Sequence, residues 1–369
     1  MRLLVTGGLG FIGSNLVRHL LKTYPTYEII NLDAQTYAGH QENVEDISNN
    51  PRYKFVKGRI EDAKVVNHIV SGEYAGAIDG ILNLAAESHV DRSIEDPAVF
   101  VNSNVMGTQV LLEAAFRYGL VKGTKPGVDA KFNIRYVQIS TDEVYGSLGP
   151  TGLFTEETPL APNSPYSASK AGSDMLCRAY FHTFAMPVMI TRCSNNYGPY
   201  QHPEKLIPLF IDNLMNGKQV PVYGDGANVR DWLHVEDHCR AIDAVFHKGV
   251  PGEVYNIGGN NERTNMQITK LLLSELNKGE EMIRYVEDRL GHDRRYAIDS
   301  SKIQRELGWE PKHTFETGIR ETINWYKANQ TWIAKVTGKY DEVAAKEQAA
   351  AAAVAAQAAA AVVTPTTII

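Results

Sequence analysis

The run Ser140-Thr141-Asp142-Glu143-Val144-Tyr145-Gly146 places two adjacent carboxyls beside a hydroxyl, and Tyr166 and Lys170 lie further along the chain. These side chains suit acid–base chemistry. Tyr166 and Lys170 stand at i and i+4, positions that share one face of a helix. A lysine ammonium beside a tyrosine favours the phenolate and brings its pKa toward neutrality. Such a phenolate can take the proton of a sugar hydroxyl while a hydride leaves the same carbon. Asp142 and Glu143 can then divide the work of acid and base if their surroundings push their pKa values apart. A solvated acidic turn is the plainer reading of that pair.

The Tyr-x-x-x-Lys spacing alone decides little, because it recurs at Tyr53/Lys57 and Tyr118/Lys122. The first of these falls in a strand, where i and i+4 are about 13 Å apart. The second falls where Gly119 and Gly123 end a helix. Only Tyr166/Lys170 follows an acidic cluster at a strand end and opens a long helical pattern.

A departing hydride needs an acceptor. Thr6-Gly7-Gly8-Leu9-Gly10-Phe11-Ile12-Gly13 follows the first strand directly and opens a helix, with Gly7, Gly10 and Gly13 in G-x-x-G-x-x-G spacing. A tight turn and close approach of backbone to pyrophosphate demand glycine, and a helix N-terminus attracts phosphate charge. Asp33 lies 20 residues beyond Gly13 (33 − 13), at the end of the second strand. A carboxylate there accepts hydrogen bonds from the adenosine ribose and repels a 2′-phosphate, which selects NAD over NADP.

The elements that must position these groups are short β-branched runs alternating with amphipathic stretches. Strands are predicted at Leu3–Thr6, Glu28–Leu32, Tyr53–Lys57, Gly80–Leu84, Arg135–Ser140 and Val188–Cys193. Helices are predicted at Phe11–Lys22, Val99–Tyr118, Tyr166–Phe184 and Phe315–Ala328. This alternation means an α/β fold: a Rossmann-type doubly wound parallel sheet, with ligands at the carboxyl ends of its strands. After about residue 195 several prolines and glycine-rich turns break the pattern, and a smaller, mixed α/β lobe is expected. The division reads as a dinucleotide-binding domain over 1–194, with a segment near 232–258 returning to it, a substrate-binding lobe over 195–335, and an alanine-rich low-complexity tail over 341–369.

Bulk properties narrow the partners. A formal net charge of −6 argues against nucleic-acid binding. Cys177, Cys193 and Cys239 are an odd set far apart, which suits buried thiols in a reducing compartment. No secretory signal is read ahead of the first strand, so the expectation is cytoplasmic, with no membrane span and no metal site. The tail is too weakly hydrophobic and too broken by Lys346, Glu347, Gln348 and Gln357 to read as a span.

Taken together, the glycine motif, Ser140–Gly146 and Tyr166–Lys170 resemble the extended short-chain dehydrogenase/reductase family. Within it, Asn83–Ser93, Arg192–Pro199, Pro203–Pro208, Val229–Val235 and Asp288–Asp293 are similar to dTDP-glucose 4,6-dehydratases, and the similarity spans roughly residues 1–330. The resemblance implies NAD as cofactor, a nucleotide-sugar substrate and a homodimer joined through the helices near Val99–Tyr118 and Tyr166–Phe184. It assigns Tyr166 and Thr141 to the carbon-4 hydroxyl, Glu143 as base at carbon 5, Asp142 as acid at carbon 6, and Lys170 to the nicotinamide ribose. Ile60, Ala85 and Ala86 join the glycine motif as cofactor contacts, with Phe11 and Ile12 inside it. Arg230, Arg289 and Lys205 are expected on the diphosphate, and Ser88, Asn196, Glu204, Leu206, Asn265, His292 and Tyr296 elsewhere on the substrate. One departure stands out: the family often carries an acid after the glycine of Gly58-Arg59-Ile60, at the adenine, where this chain has Arg59.

Three other readings stay open at this point, the first being a 4,6-dehydratase of another nucleotide sugar, since base and sugar cannot be derived from spacing. A nucleotide-sugar 4-epimerase shares the tyrosine, lysine and cofactor site but has no need of an acid pair. A non-catalytic NAD-binding scaffold has no need of tyrosine, lysine or acids, and this chain has all of them.

Overall fold

The computed structural model describes residues 1–339 apart from Val128 and Arg289. Seven strands form the main sheet: β1 (Arg2–Thr6), β2 (Glu28–Asp33), β3 (Tyr53–Lys57), β4 (Gly80–Asn83), β5 (Arg135–Thr141), β6 (Val188–Cys193) and β7 (Val254–Ile257). Their order is β7-β6-β5-β4-β1-β2-β3, with every neighbouring pair parallel. The order reverses between β1 and β4, which opens a crevice at their carboxyl ends. Predicted strand bounds hold to within a residue or so. Strands covered on both faces read as continuous apolar runs, and in β1 Leu3, Leu4 and Val5 have no exposure.

Helices cover both faces. The Phe11–Thr23 helix turns Leu16, Val17 and Leu20 into the core, fully buried. Each such side chain contributes about 1.5–3 kcal/mol. The Val235–Lys248 helix shares that core through Ile242 and Val245 and leads into β7, which pairs with β6.

One predicted helix is divided. The stretch expected as Val99–Tyr118 is helical over Pro97–Phe100, widens into a π-turn over Val101–Met106 and resumes over Gly107–Gly119. Pro97, with no N–H to donate, begins a new turn after the non-helical Asp96.

The smaller lobe holds a three-stranded sheet of Glu262–Thr264, Val229–His234 and Asn195–Tyr197, and a two-stranded sheet of Val220–Tyr223 with Ile283–Val286. Its own core gathers Tyr197, Phe210, Trp232, Leu272, Phe315 and Tyr326. The alanine-rich tail lies outside the described residues. Among the described residues, no helix is long and apolar enough to cross a membrane.

Candidate active site

The glycine turn shows why its residue types are fixed. Gly7 has φ +69°, and a Cβ there would lie 2.8 Å from the Ala85 backbone at the end of β4. A Cβ on Gly13 would fall 2.1 Å from the Gly7 carbonyl oxygen. The following helix begins with no capping side chain and no acid in its first turn, which leaves its first N–H groups for an anion. Such a cradle fits a pyrophosphate.

Asp33 closes β2. Its oxygens accept from the Leu9 N–H at 2.9 Å and the Gln35 N–H at 2.8 Å, so the carboxylate ties the glycine turn to β2. A carboxylate has about four acceptor lone pairs, which leaves capacity for a ribose. Burial pushes its pKa up.

A cleft of about 340 Å³ runs along these strand ends. Gly7, Gly10, Phe11, Ile12, Gly13, Asp33, Ile60, Ala85 and Ala86 line it, and Thr141, Asp142, Glu143, Tyr166 and Lys170 close its inner end. A second cleft of about 250 Å³ opens into the smaller lobe, lined by Ser88, Asn196, Glu204, Lys205, Leu206, Arg230, Asn265, His292 and Tyr296. Ser88, Glu143, Asn196, Glu204 and Lys205 line both, so the clefts join beside Glu143, next to Thr141 and Asp142. Arg289 lies outside the described residues.

At that junction, Thr141 ends β5 and caps a short turn, its hydroxyl accepting from the Glu143 N–H at 3.3 Å. The same side chain reaches the Tyr166 hydroxyl. Asp142 is buried and Glu143 half-buried. Burial, then the charges of Glu143 and Asp231, push the Asp142 carboxyl well above its ordinary range. Asp142 Oδ2 is buried without a hydrogen-bond partner. Such a setting favours the protonated form, which a general acid needs.

The tyrosine–lysine pair differs from expectation. The Lys170 ammonium donates to the Ile139 carbonyl at 2.7 Å. Burial lowers its pKa, against the raising influence of Asp174. The Tyr166 hydroxyl is raised well above its ordinary value by burial, then by Glu143, with Thr141 opposing. Helical spacing put the two on one face, but a backbone carbonyl claims the ammonium and desolvation dominates the phenol.

In the second cleft Arg230 is fixed by donating to the Val229 carbonyl at 2.7 Å and the Asp293 carbonyl at 2.9 Å, with its guanidinium 4.3 Å above the Tyr296 ring. Lys205 Nζ donates to the Ser88 carbonyl at 3.3 Å. Asn196 Oδ1 meets His238 Nδ1 at 2.9 Å, and His292 Nδ1 meets Asp288 Oδ1 at 2.5 Å. Arg59 stands at the lip of the first cleft, mostly in solvent, paired with Glu61 at 3.2 Å.

The family model described as GDP-mannose 4,6 dehydratase matches residues 4–322. This chain belongs to the nucleotide-sugar 4,6-dehydratase family. It is 51% identical to a dTDP-glucose 4,6-dehydratase of Xanthomonas campestris pv. campestris (strain B100), over 90% of this chain and 95% of that one. It is 53% identical to the Bacillus anthracis dTDP-glucose 4,6-dehydratase solved in complex with NAD, with a TM-score of 0.82 over 91% and 99% of the two chains. The corresponding values for the NAD-bound Streptomyces venezuelae enzyme are 50%, 0.84, 91% and 100%.

The dehydratase-family site contains groups that residue spacing did not single out. Asn104, in the π-turn, accepts from the Glu87 N–H at 2.9 Å and donates to the Glu87 carbonyl at 3.0 Å and to Ser169 Oγ at 2.8 Å. It thereby braces the cleft wall against the residue preceding Lys170. A π-turn often marks such a place, but no simple residue pattern announces one. Arg192, on β6, donates to Asp174 at 2.9 Å and to the Tyr145 hydroxyl at 3.0 Å, joining β6 to the Pro165–Phe184 helix behind the acid pair. Phe210, Val222 and Trp232 supply apolar walls to the second cleft. Among the described residues, His234, Glu236 and His313 bring ligand atoms within 4.8 Å of one another, but His313 pairs with Asp237 at 3.1 Å.

Proposed function

We propose that this chain converts dTDP-glucose to dTDP-4-keto-6-deoxyglucose and water. The observation that carries the reading is the acid pair beside the junction of the two clefts: Asp142 buried, with burial and its acidic neighbours pushing its carboxyl up, and Glu143 beside it and more exposed. A 4-epimerase has no use for that division. NAD, when bound, supplies a hydride acceptor for carbon 4 and returns the hydride to carbon 6. Tyr166, with Thr141, takes the carbon-4 hydroxyl proton as the hydride leaves, the positive charge of bound NAD offsetting the burial that otherwise holds the phenol protonated; carbon 4 is then a ketone, and the ketone makes the carbon-5 proton acidic. Glu143 removes that proton and Asp142 protonates the departing carbon-6 hydroxyl, so one water leaves; as the hydride adds to carbon 6, Glu143 returns a solvent-derived proton to carbon 5, and there is no net redox change. Lys170 orients the nicotinamide ribose. Asp33 favours NAD over NADP. Arg230, Lys205 and Arg289 grip the diphosphate, and Ser88, Asn196, Glu204, Leu206, Asn265, His292 and Tyr296 complete the substrate pocket.

In this reading residues 1–194, with 232–258, form the cofactor domain and 195–335 the substrate lobe. The chain acts as a homodimer. Val99, Val101, Met106 and Met175 are all at least 40% exposed on the expected contact helices, which supports that pairing. Three free, buried cysteines support a cytoplasmic setting.

The test is incubation with dTDP-glucose in heavy water without added reductant. Loss of one water with one deuterium at carbon 5 is expected. Inversion at carbon 4 without water loss would move the assignment to an epimerase. No reaction with dTDP-, UDP- or GDP-sugars would favour a binding protein.

A further inference from the structure

The carbonyl of Leu9, inside the glycine turn, is held from outside the main sheet. Asn43 Nδ2 donates to it at 2.7 Å, and the His40 N–H donates to it at 3.2 Å. Asn43 is 2% exposed and each of its polar atoms is engaged. Its N–H donates to the His40 carbonyl at 3.0 Å, its own carbonyl accepts from Arg18 at 2.5 Å, and its Oδ1 accepts from Trp332 Nε1 at 2.9 Å. Trp332 belongs to the Gln330–Val336 helix, 289 residues along the chain from Asn43. The same helix meets the cofactor cleft again, where the Val336 carbonyl lies 3.3 Å from Nε2 of His202, a cleft-lining residue. With Asp33 on the N–H of Leu9, the backbone of this residue is held at both its N–H and its carbonyl.

We infer that Trp332, acting through Asn43, is a positioning residue for the dinucleotide cradle, and that the Gln330–Val336 helix sets how long the cofactor stays bound. The inference rests on the reading that the first cleft holds NAD. Retention matters in this chemistry, because a cofactor lost between hydride removal and return would strand an oxidised sugar. Without the indole N–H, Asn43 Oδ1 is left buried and unsatisfied, and the side-chain amide is free to turn from Leu9.

The test measures NAD content and NAD dissociation rate for the full-length wild type, Trp332→Phe, Asn43→Ala and the double variant. Trp309→Phe is the control. It removes a similar buried bond, from Trp309 Nε1 to the Asp237 carbonyl at 3.0 Å, which ends on the Val235–Lys248 helix. Trp332→Phe should release NAD roughly tenfold faster, the scale of one lost buried hydrogen bond. Asn43→Ala should do at least as much, the double variant should be no faster than Asn43→Ala, and Trp309→Phe should match wild type. NAD release from Trp332→Phe at the wild-type rate, equal acceleration in Trp309→Phe, or additive effects in the double variant would each overturn the inference. A wild type that binds no NAD would overturn the cofactor reading as well.

Discussion

The two clefts meet at Glu143 but are made differently. The cofactor cleft is largely a product of backbone: a positive-φ turn, an uncapped helix start, and side chains such as Asp33 whose bonds return to the turn itself. The second cleft is a product of side chains from separate segments, among them 88–91, 204–210, 221–232, 265–269 and 291–296, and its cation Arg230 is held by carbonyls and a tyrosine ring. A backbone site tolerates almost no change at a few positions. A side-chain site spreads its requirements over many.

That contrast can be broken by mutation. The largest effect is expected for Gly13→Ala, whose Cβ would sit 2.1 Å from the Gly7 carbonyl oxygen. The purified variant should carry no NAD, by absorbance and by release on denaturation; NAD at wild-type stoichiometry would show that the turn is not the rigid cradle described. Next is Asp142→Asn, expected to lower kcat by about 10²–10⁴-fold, the usual worth of a positioned acid. Its sign on stability is opposite. Asp142 has a raised folded-state pKa, so its protonated form favours folding below the unfolded pKa, and that contribution is lost as pH rises toward the folded value. The variant should therefore melt no lower than wild type at neutral pH, and wild-type turnover should fall as pH climbs through the raised pKa. A large drop in melting temperature would mean that Asp142 serves the fold instead. The smallest effect is expected for Arg230→Lys, which keeps the charge but loses the planar fork. KM for the nucleotide sugar should rise about tenfold with bound NAD unchanged, as seen by titration calorimetry. A loss of NAD in this variant would mean the clefts are not separable.

The same contrast explains what could be read before any coordinates. Gly7, Gly13 and Asp33 are legible because local backbone geometry dictates residue type at short spacing. Tyr166 and Lys170 are legible as a helical pair, but their electrostatics are not, since the Ile139 carbonyl that claims Lys170 is supplied by another strand. The start of the helical run ending at residue 119 is announced by Pro97, whereas the π-turn that divides it, carrying Asn104, has no such marker. Ser88, Asn265 and Tyr296 look like ordinary polar residues until the fold converges them, so only family resemblance pointed to them. Trp332 is the furthest case, an apolar residue on a late helix whose one polar atom serves a turn at the start of the chain.

The place of β7 in the main sheet bears on how the molecule is made. Val254 pairs with Ile190, 64 positions earlier (254 − 190), with much of the smaller lobe encoded between them. A chain leaving the ribosome amino end first must wait on the order of ten seconds between these two strands. Throughout that interval β6 offers an unpaired, apolar edge to whatever is nearby. Ribosome-tethered chains halted before residue 250 should be cut readily by protease within 1–194, and chains extended past Ile257 should gain protection there. Synthesis order thus obliges the main sheet to remain unfinished until much of the smaller lobe has been translated.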